Sequence, residues 1–179
     1  NNTINITGTE YLYSIQVRGS NNNISNNNIN LTSRNYLSGI MMEGVGMSNN
    51  TIANNNIIFT GGNRSSDPST HAEDSVYGIS IQNFGYGGYD YIPGSGNVTN
   101  NKVINNTITG TGYNVYAFEQ FGGDNTTVAN NTINLTALTP MAIGIIGAYS
   151  NVTGNNIIVD GADNATYSSA DYLKPRTTG

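Results

Sequence analysis

An asparagine pair followed by an aliphatic residue recurs along the chain at spacings that leave few folds open. The fullest copy is Val128-Ala129-Asn130-Asn131-Thr132-Ile133-Asn134-Leu135-Thr136, and Ile24 to Leu31, Ile52 to Phe59, Val103 to Gly110 and Val152 to Val159 align with it. Asn1 to Ile6 reads as a truncated first copy. Each full copy has an aliphatic residue, an Asn-containing gap, and an Ile five positions after the first aliphatic. That Ile falls at Ile4, Ile29, Ile57, Ile108, Ile133 and Ile157, in steps of 25, 28, 51, 25 and 24 residues. The period is too long for a hexapeptide solenoid and lacks the spacing of leucine-rich repeats. With 179 residues and one repeat throughout, residues 1–179 are expected to form a single domain.

The phrase is written for strands. No segment has apolar residues at i, i+3, i+4 and i+7, and Gly, Asn and Thr are poor helix formers, so essentially no helix is expected. Ile133 and Leu135 lie two apart and face the same side of a strand. Val128 and Ile133 lie five apart, so both point inward only if the backbone bends between them. The bend is marked by Asn26, Asn54, Asn105, Asn130 and then Gly154, an exchange that a left-handed backbone position allows. One position later every copy has Asn: Asn2, Asn27, Asn55, Asn106, Asn131 and Asn155. Stacked one per turn, these amides are expected to form a hydrogen-bonded ladder. A second strand precedes the phrase, as in Tyr13 to Val17, Tyr77 to Ile81 and Met141 to Ile145. Ile40 with Met42 serves the same role in the second turn, and Val115 with Ala117, or a register shifted by two, in the fourth.

Together these elements describe an all-β, single-stranded parallel β-helix of about six coils, with a repeat of about 25 residues and three short strands per coil. The Asn-Asn-Thr-Ile phrases resemble the repeats of right-handed parallel β-helix proteins of the pectate-lyase-like and NosD-like type, and most of all those of Asn-rich adhesin-like surface proteins of archaea. The resemblance covers about residues 1–160 and implies the right-handed coil. It does not choose an activity, because the same fold carries lyases, hydrolases, epimerases, tailspikes and adhesins.

Composition narrows the partners. The chain has 32 Asn and 22 Gly, a net charge of −5 and only six Lys or Arg. Those six, Arg18, Arg34, Arg64, Lys102, Lys174 and Arg176, do not repeat in phase, so no basic face exists for a nucleic acid. Their scatter also argues against carrying over a lyase activity that needs basic and acidic residues on one sheet. No apolar run reaches the roughly 18 residues of a membrane span. The chain opens inside a repeat, which reads as a mature or excised piece of a longer product. Cysteine is absent, which removes disulfides and thiolate sites. Thirteen asparagines stand in the pattern Asn-x-Ser/Thr, about twice the roughly six that chance would give, and this favours an extracellular or cell-surface glycoprotein. Asn5, Asn30 and Asn134 are the leading acceptors because each lies between two inward aliphatics, and Asn97, Asn125 and Asn151 are further candidates.

Candidate sites lie where the chain departs from its repeat. The 51-residue step holds two insertions, about 61–75 and 84–96, and a non-repeat tail follows at about 162–179. The first insertion contains Asp67, His71, Glu73 and Asp74, with no ligand spacing of a known metal site. A solvated turn around Pro68, Ser69 and Thr70 is its plainer reading. No cofactor is called for, and calcium is the one ion whose oxygen ligands Asp67 and Asp74 offer. The second insertion sets Tyr86, Tyr89 and Tyr91 among glycines, rings suited to stacking on sugars or to packing against the solenoid or a second copy. Arg18, Glu43 and Glu119, with Gln82 and Gln120 nearby, are expected to share an outward column on the second strand. No catalytic constellation is assigned. The first functional expectation is a non-enzymatic structural or adhesive module that associates with copies of itself in a filament, sheath or surface layer. The alternative is a polysaccharide lyase or hydrolase, or a glycan-binding module, with a groove beside the insertions. Glu43, Glu119, Asp67, Glu73 and Asp74 are its candidate acids.

Overall fold

A computed structural model of the chain describes residues 1–44, 46–61, 75–82 and 98–161. The calls at Asp67, His71, Glu73, Asp74, Tyr86, Tyr89, Tyr91, Asn97 and the tail lie outside these residues. The described part contains strands and no helix. In order they are β1 (Thr3–Thr7), β2 (Leu12–Val17), β3 (Asn23–Ser25), β4 (Asn28–Thr32), β5 (Leu37–Glu43), β6 (Thr51–Ala53) and β7 (Asn56–Gly61). There follow β8 (Ser75–Gln82), β9 (Lys102–Ile104), β10 (Thr107–Phe121), β11 (Thr127–Ala129), β12 (Thr132–Ile146), β13 (Asn151–Thr153) and β14 (Asn156–Gly161).

Every pairing between these strands is parallel. A nine-stranded sheet runs β1-β4-β7-β10-β12-β14 on one side and β2-β5-β8-β10-β12 on the other, joined through the long strands β10 and β12. A five-stranded sheet, β3-β6-β9-β11-β13, stands opposite. The result is nearly closed and solenoid-like, compatible with a parallel β-helix. Ile4, Ile29, Ile57, Ile108, Ile133 and Ile157 form one continuous register column. Strand alternation is plain in β4 and β7, where inward residues are buried and their neighbours exposed.

Two sharp turns flank each short strand of the smaller sheet. Downstream, Asn26, Asn54, Asn105 and Asn130 have φ of 56 to 59° and Gly154 has 65°. Upstream, Asn21, Asn49, Asn100 and Asn125 have φ of 54 to 62° and Tyr149 has 56°. Asn populates this left-handed region because its short side chain bonds locally to the backbone. The chain therefore turns twice within a few residues and brings both flanking aliphatic residues inward.

An asparagine stack follows each downstream turn. The Nδ2 of Asn2, Asn27, Asn55, Asn106 and Asn131 donates to Oδ1 of the next member, through Asn155, at 2.9 to 3.0 Å. The backbone N–H of each donor residue reaches the same oxygen. The second Nδ2 hydrogen goes to a main-chain carbonyl, as from Asn106 to Ile52 and from Asn131 to Val103. Buried amides are thereby satisfied without water. A second stack, which the repeat phrase does not include, follows the upstream turns: Asn22 donates to Asn50, and Asn50 to Asn101. Thr126 takes the next place, and its hydroxyl donates to Oε1 of Gln120 at 2.8 Å.

The register of the fourth turn differs from both expected alignments. Ile79 and Ile81 pair with Phe118 and Gln120. The sequence hides this because Gln120, a polar residue, occupies a column whose other members, Val17, Met42, Ile81 and Ile145, face the core.

Candidate functional site

The outer side of β5, β8 and the second half of β10 has the densest chemistry among the described residues. β8 is also the strand whose two ends adjoin the inserted segments. Inward positions are set by Val76, Ile79 and Ile81 in β8 and by Val115, Phe118 and their neighbours in β10, all within the core. Val76 and Ile79, like Val115 and Phe118, lie three apart and both face the core, so the alternation slips once, at Gly78 and Ala117, where the register pairing is interrupted. Tyr77 and Tyr116 before the slip, and Ser80, Gln82, Glu119 and Phe121 after it, take the outer positions.

Tyrosine rings run across these strands in a strip. Tyr11 and Tyr36 have centroids 5.8 Å apart, Tyr13 and Tyr36 5.6 Å, and Tyr36 and Tyr77 5.4 Å. Tyr77 and Tyr116 stack at 4.8 Å with an interplanar angle of 16°. Tyr77 and Tyr116 are register partners, so strand spacing itself sets the stack. Tyr11 and Tyr13, at one end, are exposed. Burial, reinforced by nearby acidic groups, raises the Tyr36 and Tyr77 hydroxyls well above the usual phenol range. Both stay protonated and available as donors.

Beside the strip lies Glu119, 6% exposed. Its register partners are Ser80 and Gly144, and Met41 follows in the same column. Burial pushes its carboxyl up to about 7. Glu119 Oε2, Ser80 Oγ and Ser38 Oγ are buried without hydrogen-bond partners.

The expected charged column is divided by the register. Glu43 pairs with Gln82, which pairs with Phe121, whereas Glu119 sits in the column of Ser80 and Met41. Glu43 Oε1 accepts from Arg18 and from Gln16 Nε2, the latter at 3.0 Å. Gln120 points inward and belongs to the core. Gln120 follows Glu119 directly, and over Phe118 to Phe121 the side chains alternate, so the two face opposite sides.

The acceptor-pattern asparagines stand elsewhere. Asn5, Asn30 and Asn134 are exposed on β1, β4 and β12, and Asn5 and Asn30 are register partners. Asn125 is exposed in an upstream turn and Asn151 on β13. Among the described residues no three His, Asp or Glu side chains group as metal ligands do. The tyrosine strip could have been sought in the sequence, since Tyr13, Tyr77 and Tyr116 recur just before the second-strand aliphatics. The placement of Glu119 beside Ser80 has no such signal, because it depends on cross-strand register. No protein-family model, curated protein or solved structure matches the chain.

Proposed function

We propose that the chain is a right-handed parallel β-helix of about six coils that serves as a non-enzymatic structural or adhesive module at the cell surface. In this reading it resembles the Asn-rich adhesin-like proteins of archaea, carries N-linked sugar and assembles with copies of itself into a filament, sheath or layer. The observation that carries it is the state of β14. Ile157 and Val159 continue columns that are buried in β4, β7 and β12, yet they are 43% and 38% exposed, and Ile158 is 58% exposed. Among the described strands β14 pairs with β12 alone, and a strand with such apolar columns is a template for another strand, here one with matching columns such as β1. The exposure of Asn5, Asn30, Asn125, Asn134 and Asn151 supports surface glycosylation.

Light scattering over a concentration series, with electron microscopy of the same material, tests the assembly. Ordered stacks that vanish in the double variant Ile157→Asp, Val159→Asp are expected. A monomer at every concentration, bare of sugar when isolated from its source, would sink the reading.

One observation favours a second reading, a saccharide groove beside the segments that flank β8: the exposed rings of Tyr11 and Tyr13 open onto the tyrosine strip. Tyr86, Tyr89 and Tyr91, outside the described residues, remain the candidate rings that the sequence offers for the same contact. For a lyase or hydrolase, Glu119 is the one described acid on that face not engaged by Arg18. A panel of acidic and neutral glycans, scored for binding and for turnover, decides between the two readings.

A further inference from the structure

The strands β1, β4, β7, β10, β12 and β14 lie side by side in unbroken register and turn one face away from the core. Each sets three residues on that face, at every second position. Of these eighteen residues nine are Thr and six are Asn, and the one charge is Asp160 on β14. All are exposed except Thr109, which is half-buried. On an ordinary soluble surface about five of eighteen residues would be charged, so this face stands apart from the usual solvated kind.

The side chains form columns as well as rows. Thr7, Thr32, Thr60, Thr111 and Thr136 follow one another across five strands, partner to partner. Strands stand about 4.8 Å apart and outward residues of one strand about 6.6 Å apart, so the hydroxyls and amides occupy a nearly rectangular mesh. The asparagine stack at the edge of this sheet repeats the same 2.9 to 3.0 Å bond at each step, a side-chain ladder of the kind that holds a sheet flat. Thr side chains have few rotamers, and Asn56 donates to Asn28 at 2.8 Å along its column. Part of the mesh is therefore fixed before anything binds, which lowers the entropy cost of binding.

We propose that this face binds the surface of ice. Its ligand is a lattice of water rather than a single molecule. Rows of oxygen atoms on the faces of ice repeat on a rectangular mesh of nearly the same dimensions, so hydroxyls and amides spaced by the strands can take the places of lattice waters row after row. Thr methyl groups and the exposed Ile58 fill the spaces between. The lack of Lys, Arg and Glu matters as much, because a long charged side chain would stand above the plane and hold its own disordered water. A soluble sugar has no such repeat and is better met by aromatic rings, of which this face has none.

This use of the face does not depend on assembly. Sugar attachment excludes it, because Asn5, Asn30 and Asn134 share the middle column of the mesh and a glycan on any of them covers the face. The bare chain binds ice and the sugared chain does not.

Slow freezing of a solution of the full chain, made without sugar, tests the face. The fraction taken into the growing ice is compared with that of an inert protein in the same solution. Enrichment in the ice, with faceted crystals, is expected. Thr60→Lys combined with Thr111→Lys raises two charges from the middle of the face and should lower the enrichment roughly tenfold. Asn23→Lys combined with Asn151→Lys, in the smaller-sheet column that already has Lys102, should leave it unchanged. If the first variant does not fold, Asn30→Lys on the same face takes its place. Chain carrying sugar on Asn5, Asn30 or Asn134 should be excluded from the ice. Exclusion of the bare chain, equal enrichment of the two variants, or entry of the sugared chain into the ice would overturn the proposal.

Discussion

The ring of Phe59 occupies the space that its register partner Gly110 leaves empty. A β-carbon on Gly110 would lie 2.5 Å from Phe59 Cζ and 2.7 Å from Val115 Cγ1, closer than such atoms approach. The same column has Leu31 before Phe59 and Leu135 after Gly110. One large and one absent side chain thus keep the interior volume of two successive turns nearly constant, as close packing demands.

This pairing predicts coupled mutations. Gly110→Leu alone forces Phe59 and Val115 apart and should destabilise the fold by about 3 kcal/mol. Phe59→Leu alone leaves a partly filled cavity and should cost about 1–2 kcal/mol. The double variant restores the Leu column and should be more stable than Gly110→Leu alone. Denaturant midpoints of all four proteins give the interaction energy. Additive losses would show that the two residues do not share the volume.

The asparagine stacks allow a second prediction. Asn106 Oδ1 accepts both the backbone N–H and Nδ2 of Asn55, while its own Nδ2 serves Asn131 and the Ile52 carbonyl. Asn106→Ala removes four bonds in a dry interior and should destabilise by about 3 kcal/mol or more. Asn106→Asp keeps the acceptor but turns a carboxylate toward Asn131 Oδ1, so it should be no better. Asn130→Gly keeps the left-handed turn and should change stability by under about 1 kcal/mol, whereas Asn130→Val should cost about 1–2 kcal/mol. Thermal melts of the four variants rank them.

How much of this was readable beforehand follows from where the information sits. The left-handed turn after each smaller-sheet strand is legible because only Asn and Gly alternate there. The all-parallel strand order follows from the repeat itself. The upstream stack Asn22, Asn50, Asn101 is harder to see, since Thr126 and Ser150 interrupt its residue type in later turns. Gln120 in a core column displaced the expected register of β10, and that error carried Glu119 into the wrong outward column. A one-residue error on a strand exchanges its faces, so side-chain neighbours across strands are the first thing lost.

Sugar attachment offers a third prediction. Asn5 and Asn30 lie side by side on adjacent strands, both exposed. Neighbouring strands are about 4.8 Å apart, less than the width of one glycan core. Intact glycopeptide mapping of the native protein should find sugar on one or the other of them in each molecule, and seldom on both. Asn134 has Thr109 and Ile158 as its register neighbours, so it meets no such competition and should be more fully occupied. Routine double occupancy of Asn5 and Asn30 would contradict the parallel pairing of β1 with β4.

The buried carboxyl of Glu119 makes stability depend on pH in an unusual direction. Its folded pKa, raised to about 7 by burial, lies above its value in the unfolded chain. Between about pH 4.5 and 7 the folded state holds a proton that the unfolded state has released, so unfolding becomes easier as pH rises. The contribution is fully present below the unfolded pKa and is lost as pH climbs through the folded one. At about 1.4 kcal/mol per unit over some two units, the loss is about 3 kcal/mol, an upper figure for one recessed group. Urea midpoints should therefore fall from pH 5 to pH 7, change only slightly more by pH 8, and be insensitive to this group above that. Glu119→Gln, neutral at every pH, should remove that slope and bring the stability at pH 8 up toward the value at pH 5. A slope that persists in the variant would trace the effect to other carboxyls and leave Glu119 ionised in the folded chain.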